Sequence, residues 1–274
     1  MARTIVLEKF NSLDDFTATI GKRKNNSVFV NSFSSEKGSS SFSGTSSYQE
    51  SVDLIARGYS DGLSKINADN GERINYRRVQ SKKIPRASVV GYAPIVPNAI
   101  IGLPTSMIAD DRIQHKTKVV SIWYDSTADC GIPVSAIAKA GRHLLELVSM
   151  LEGQGFRVEL YMVNNMIGVT ESCICAVKVK TDRQPMNPLK IAYPLIHASF
   201  LRRQGFKWLE TQPTITDTSL KLGYGMPLFH YIGGGDRRAW LKKHNVLEPN
   251  CFFTDFYEAR DNDATQLMKL MDLK

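Results

Sequence analysis

Several features are missing from this 274-residue sequence, and each absence excludes a class of protein. No apolar run approaches the roughly 18 residues that a membrane-spanning helix needs. The opening residues, MARTIVLEKFNSLDDF, contain no long apolar stretch of the kind a secretory signal carries. A soluble chain that stays where it is made, with no membrane partner, is the expectation. The four cysteines, Cys130, Cys173, Cys175 and Cys251, include no C-x-x-C pair and no zinc-ribbon or zinc-finger spacing. Cys173 and Cys175 lie two apart in a strand-like run and read as small apolar residues on one face. Neither an H-E-x-x-H sequence nor a Walker phosphate loop is present. His143 and His197 fall in expected helices and read as packing or surface groups, so catalysis lacks a placed base or nucleophile.

Acidic residues are also in the minority, 27 against 35 lysines and arginines, for a net charge of +8. Such a balance favours weak attraction to polyanions without defining a site. Its densest expression is residues 72–86, ERINYRRVQSKKIPR, with Arg73, Arg77, Arg78, Lys82, Lys83 and Arg86 around Tyr76. Basic groups interleaved with an aromatic suit a phosphate backbone, and they equally suit a solvated face. Arg237, Arg238, Lys242 and Lys243 form a second, smaller cluster.

Along the chain, residues 1–115 read as an irregular α+β extension. It contains an apolar patch from Ile5 to Phe10, a strand candidate at Ser27–Val30 and a Ser/Gly-rich stretch at 32–47 expected as a loop or mobile linker. Ser47-Tyr48-Gln49-Glu50 fits a capping box, opening a helix that Arg57-Gly58 ends. A second short helix is expected near 60–68. The prolines of 87–108 exclude a long helix or central strand there.

From 116 to 274 the pattern becomes regular α/β. Lys118–Tyr124 reads as a buried parallel strand and Pro133–Leu151 as an amphipathic helix. Phe156–Val163 follows as a strand parallel to the first. Asn164 to Gly168 reads as a turn, so Ser172–Lys180 should run antiparallel at a sheet edge. Helices are expected at 187–205, behind Asp236 and at 263–272, with a short strand at Cys251–Asp255. Ligands of such sheets bind beyond the carboxyl ends of the strands. Asp125, Thr127 and Asp129 sit at one such end and Asp255 at another. Two readings of these acids stand side by side. Hard oxygen ligands suit magnesium, and aspartates beyond a strand also serve as ordinary helix caps.

The layout from about 118 to 270 resembles the von Willebrand factor A domain family, whose adhesion site begins with Asp-x-Ser-x-Ser. Here Asp125-Ser126-Thr127-Ala128-Asp129 stands in that place. The resemblance implies an α/β, doubly wound, mostly parallel sheet of Rossmann type. It further implies a magnesium ion held by Asp125, Thr127, Asp129, Thr181 and Asp255, with Thr170 competing for the place of Thr181. Phe256 replaces the glycine that usually follows the last aspartate. The stretches SFSGTSSYQESVDLIARGY (41–59), VVGYAPIVPNAIIGLPTSM (89–107) and LIHASFLRRQGF (195–206), together with 119–163, are similar to a family of tailed-bacteriophage proteins. That likeness implies a protein in the cytoplasm of an infected host, with a protein partner such as a phage-encoded ATPase or virion component. A non-enzymatic adaptor is the leading expectation, a nucleic-acid-associated protein the second, and a metal-dependent hydrolase the third.

Overall fold

In the computed structural model, residues 3–29, 34–60, 83–112, 118–232 and 235–271 are described. Their strands are β1 (Thr4–Phe10), β2 (Lys83–Ser88), β3 (Ala93–Pro94), β4 (Met107–Arg112), β5 (Val119–Asp125), β6 (Arg157–Ile167), β7 (Glu171–Lys180) and β8 (Phe252–Asp255). Five make one sheet in the order β1-β7-β6-β5-β8, and the other three a small sheet, β2-β4-β3. In the large sheet β1/β7, β5/β6 and β5/β8 are parallel, and β6/β7 is antiparallel. The protein is therefore mixed α/β with a mostly parallel five-stranded sheet.

The sheet is covered on both faces. Ile122 and Tyr124 of β5 point into the larger core, while Trp123 between them points into a second cluster with Tyr161, Phe253 and Leu241. Such two-sided burial explains the unbroken apolar run of β5. Helix Val134–Gly153 crosses the larger core and buries Ile137, Ala140, Leu144, Leu147, Val148 and Leu151, spaced three and four apart. Gly141 lets it approach helix Pro188–Ile196, since a Cβ there would lie 2.1 Å from the Leu195 carbonyl oxygen.

Strands near 118–124, 157–163 and 251–254 are in one sheet as expected, with β5 between the other two. Three expectations are corrected. β7 is antiparallel to β6 but is not an edge, because β1 pairs with it from Thr4↔Glu171 to Phe10↔Val177. Thr4–Phe10 thus belongs to the large sheet, and a boundary at 115/116 does not separate it from the later strands. Asn164 to Ile167 continues β6 instead of turning, since Asn164 and Asn165 are buried opposite Cys175 and Ile174. Ser27–Phe29 is a 3₁₀ turn and not a strand, held by the Asn26 side chain accepting from the Val28 amide at 2.8 Å. The helix expected near 60–68 lies outside the described residues, apart from Ser60.

The Ser/Gly-rich stretch holds two helical turns, Ser34–Lys37 and Ser40–Ser43, and it is anchored from a distance. Helix Pro188–Ile196 breaks at His197, and the chain resumes as a π-helical turn, Phe200–Gly205, carrying Arg202 and Arg203 fully inside. Arg203 donates to the carbonyl oxygens of Ser35 (2.9 Å), Glu36 (3.0 Å), Gly38 (2.8 Å) and Thr45 (2.8 Å), and to the Thr45 hydroxyl. Arg202 donates to the carbonyls of Phe42 (2.7 Å), Asp129 (3.3 Å) and Ile132 (2.7 Å). Guanidinium groups, with five donors in a planar fork, are suited to satisfying loop carbonyls in this way.

Replacing Arg203 with leucine strands these carbonyls in the interior. Each orphaned buried acceptor costs about 1–3 kcal/mol. Arg203→Leu is therefore expected to lower stability by more than the typical single substitution, about 1 kcal/mol. Urea unfolding of the two proteins measures it, and protease cleavage within 34–47 should rise in the variant. An unchanged midpoint would refute the anchoring role.

Candidate functional site

Three aspartates and an arginine lie around the carboxyl ends of β5 and β8. Parallel pairing sets Asp125 directly beside Asp255, and strand alternation puts both on the face occupied by Trp123 and Phe253. Neighbouring strands are about 4.8 Å apart, so two carboxylates in register would repel unless something neutralises them. Helix Arg237–Lys243, capped by Asp236 accepting from the Ala239 amide at 2.9 Å, lies on this face and supplies the cation. The Nε of Arg237 pairs with Oδ2 of Asp255, whose side chain is nearly fully buried. The same guanidinium stands 4.9 Å from the centre of the Phe229 ring.

Several oxygens of the site have local tasks. Asp255 Oδ1 accepts from the Glu258 amide at 2.9 Å, capping helix Phe256–Asp261. Asp125 Oδ1 accepts from the Thr127 amide at 3.0 Å, turning the chain out of β5. The Thr127 hydroxyl accepts from the Asn165 amide at 2.7 Å, and the Ser126 hydroxyl donates to Asn164 Oδ1 at 2.7 Å. Asp129 is on the outer rim, where its Oδ2 accepts from the Tyr257 hydroxyl at 2.6 Å and contacts His230 Nε2. Phe229 stacks on Tyr257 with ring centres 4.2 Å apart.

The electrostatics follow from this geometry. Burial pushes the Asp125 carboxyl up to about 7; the Thr127 hydrogen bonds oppose it, the Asp255 charge adds to it and Arg237 counters it. The Tyr257 hydroxyl is raised by burial and by the Asp129 carboxylate to which it donates. Burial also raises Glu258, with the Asp255 charge adding to it.

Of the five side chains expected as metal ligands, Asp125, Thr127 and Asp255 converge, and Asp129 lies at the rim. Thr181 does not join them. β7 is antiparallel to β6, so its last residue, Lys180, pairs with Leu160 near the start of that strand. The Lys180 ammonium confirms the position by donating to the carbonyls of Val158 and Thr181. Thr170 is at the correct end of the sheet but beyond β6, where its amide donates to Asp217 and its carbonyl accepts from Thr4. The donor set does not fit a divalent ion as it stands. Asp255 spends one oxygen on a helix cap and the other on Arg237, and Asp129 is taken by Tyr257 and His230. Among the described residues no group of three or more His, Cys, Asp or Glu side chains is arranged to hold a metal.

The other candidates disperse. Arg73, Arg77, Arg78 and Lys82 lie outside the described residues, whereas Lys83 and Arg86 are in β2 of the small sheet. Arg238 donates to the Cys251 carbonyl, and Lys242 and Lys243 close the last turn of their helix. His143 bridges two helices by contacting the Ala259 carbonyl at 2.8 Å, and His197 sits in the break before the π turn. One Gly-x-Ser-x-Gly sequence exists at Gly58–Gly62, but Gly58 ends a helix. A nucleophile elbow requires a strand before it. Sequence reasoning missed Arg237 as a partner of the acids, Asn164 and Asn165 beneath the loop, and the pair His230 and Tyr257. Asn-Asn reads as a turn signal in isolation, and only pairing with β7 reverses that reading.

Fold and site together define a mixed α/β domain with an arginine-neutralised acidic pair at adjacent strand ends. Residues 2–273 match DUF7192, described as a domain of unknown function, and the chain belongs to that family. No curated protein and no solved structure matches the chain.

A carboxyl whose pKa is higher in the folded than in the unfolded chain binds a proton more tightly when folded. Its contribution therefore favours the native state below its folded pKa and is lost as pH rises from the ordinary carboxylate range, about 4, toward 7. Asp125→Asn is expected to flatten that decline. Unfolding free energies of both proteins across this range measure it, and parallel curves would show that Asp125 does not titrate there.

Proposed function

We propose that this chain is a protein-interaction adaptor of von Willebrand factor A-like, doubly wound architecture, acting in the cytoplasm of a phage-infected host. The observation that carries the reading is the strand order β7-β6-β5-β8 with antiparallel β7. It sets an Asp-x-Thr-x-Asp loop and a second aspartate at neighbouring carboxyl ends, where open α/β sheets bind their ligands. The adhesion site is degenerate in this reading. Arg237 provides the positive charge that a metal provides in the resembling family, and a magnesium ion would have to displace it. The exposed parts of Asp129 and His230, with Tyr257 between them, offer a polar rim to a partner.

Affinity purification of the full chain from producing cells tests the proposal. A defined protein is expected to be retained after nuclease treatment and in the presence of chelator, and to be lost with the paired variant Asp129→Asn and His230→Ala. Retention that disappears with nuclease would favour a nucleic-acid role. Retention unaffected by the variant would move the interface elsewhere.

A further inference from the structure

The basic cluster of helix Arg237–Lys243 is only half absorbed by the strand-end site. Arg237 pairs with Asp255 and Arg238 donates to the Cys251 carbonyl, so the first two cations are committed. Lys242 and Lys243, in the last turn, are exposed, and their side chains make no hydrogen bond or ion pair among the described residues. From Leu228 to Leu247 the chain carries these four cations against one acid, Asp236, which caps the opposite end of the helix. The two lysines are therefore not neutralised by their own segment.

Complementing the helix dipole accounts for lysines in a last turn. It does not account for the aromatic groups gathered beside them. Trp240 packs one side against the second core cluster, which fixes its position. One turn on, the His244 ring lies against it with centres 4.4 Å apart, and the exposed Tyr231 ring meets it edge-on at 6.4 Å. The Arg3 guanidinium lies 4.2 Å over the Tyr231 ring and also donates to its hydroxyl, while its Nε donates to the Gly168 carbonyl at 2.9 Å. Arg3, Tyr231, Trp240 and His244 thus form one row of contacts with a guanidinium plane at one end and an imidazole at the other. Lys243 follows Trp240 by three residues, which places it on the neighbouring surface of the helix.

Uncommitted cations beside planar groups are the two elements that hold a single strand of nucleic acid. The cations track its phosphates, and its unpaired bases stack on aromatic rings or on arginine planes. A duplex keeps its base faces inside its own stack and can use only the charge. We propose that this face binds single-stranded nucleic acid, with Lys242 and Lys243 on the phosphates and bases stacked against the row from Arg3 to His244. The surface is separate from the basic segment 73–86, and it does not require the polar rim at Asp129.

Titration of the full chain at about pH 8, where histidine is neutral, with a labelled oligothymidylate of about 16 nucleotides tests this. Trp123 and Trp208 are fully buried, so of the three tryptophans only Trp240 is open to a stacking base. Binding is expected to quench tryptophan fluorescence, and Trp240→Phe to bind the oligomer without that quench. The double variant Lys242→Gln and Lys243→Gln, altered only at exposed positions, should lower the slope of log K against log salt. The expected drop is about 1.4, at about 0.7 for each single-strand phosphate contact. His244→Ala should weaken binding about fivefold or more and leave the slope unchanged. An abasic oligomer of the same length that binds as tightly would overturn the proposal, because charge alone would then be at work. A wild type that does not bind, or binds without quenching, would overturn it as well. So would a lysine double variant whose salt slope does not move, since the phosphates would then lie elsewhere.

Discussion

Two adjacent arginines carry the architecture around the strand ends. Arg202 and Arg203 lie inside the protein with no carboxylate hydrogen-bonded to either among the described residues, their charge spread over seven hydrogen bonds to backbone carbonyls and one to a threonine hydroxyl. Burying a cation is strongly unfavourable unless its donors are satisfied, so these loops and these side chains specify each other. Arg203 gathers the serine-rich segment, which otherwise has little apolar surface to hold it. Arg202 ties that segment, through Phe42, to the Asp129–Ile132 turn that leaves the acidic loop. The π-helical turn that carries both is a geometry often found beside functional sites. Gly205, at its end, admits Asn164, since a Cβ there would stand 2.8 Å from Asn164 Nδ2.

The consequence for the acidic pair is a rigid frame. Asp125 and Asp255 are placed by strand register, the loop after Asp125 is held from below by Asn164 and Asn165, and its far side is held by Arg202. Arg237 completes the arrangement from the opposite face of the sheet to that packed by helix Val134–Gly153. A guanidinium differs from a metal ion in being permanently charged and covalently attached. The Asp255 charge is thus met from within the chain by Arg237, while burial favours the protonated form of Asp125.

Much of the α/β half was legible in the sequence because its signals are local. The apolar run of β5, the three-and-four spacing after Pro133 and the acid closing Cys251–Asp255 each report their own element. The sheet's fifth strand was not legible, because Thr4–Phe10 looks like any short apolar patch until β7 is there to receive it. Asn164 and Asn165 misled for the same reason, since tertiary pairing overrides a turn propensity. The serine-rich segment was read as mobile from its composition, and its anchor lies more than 150 residues away at Arg203. Within the site, the aspartates were found from their place at strand ends. Their neutralising partner was not, because nothing in the order of residues links Arg237 to Asp255. Thr181 was expected by analogy with a family layout, and the antiparallel direction of β7 carries it to the other end of the sheet.

The central claim is that a side chain, and not an ion, neutralises the strand-end pair. A double-mutant cycle of Arg237→Ala and Asp255→Asn, read from unfolding free energies in chelator and again in magnesium, measures it directly. Asparagine keeps the helix cap while removing the charge. The account predicts a favourable coupling of about 1–3 kcal/mol, within the range for residues in contact, and the same value in both solutions. A coupling near zero in chelator, or one that emerges only with magnesium, would contradict it.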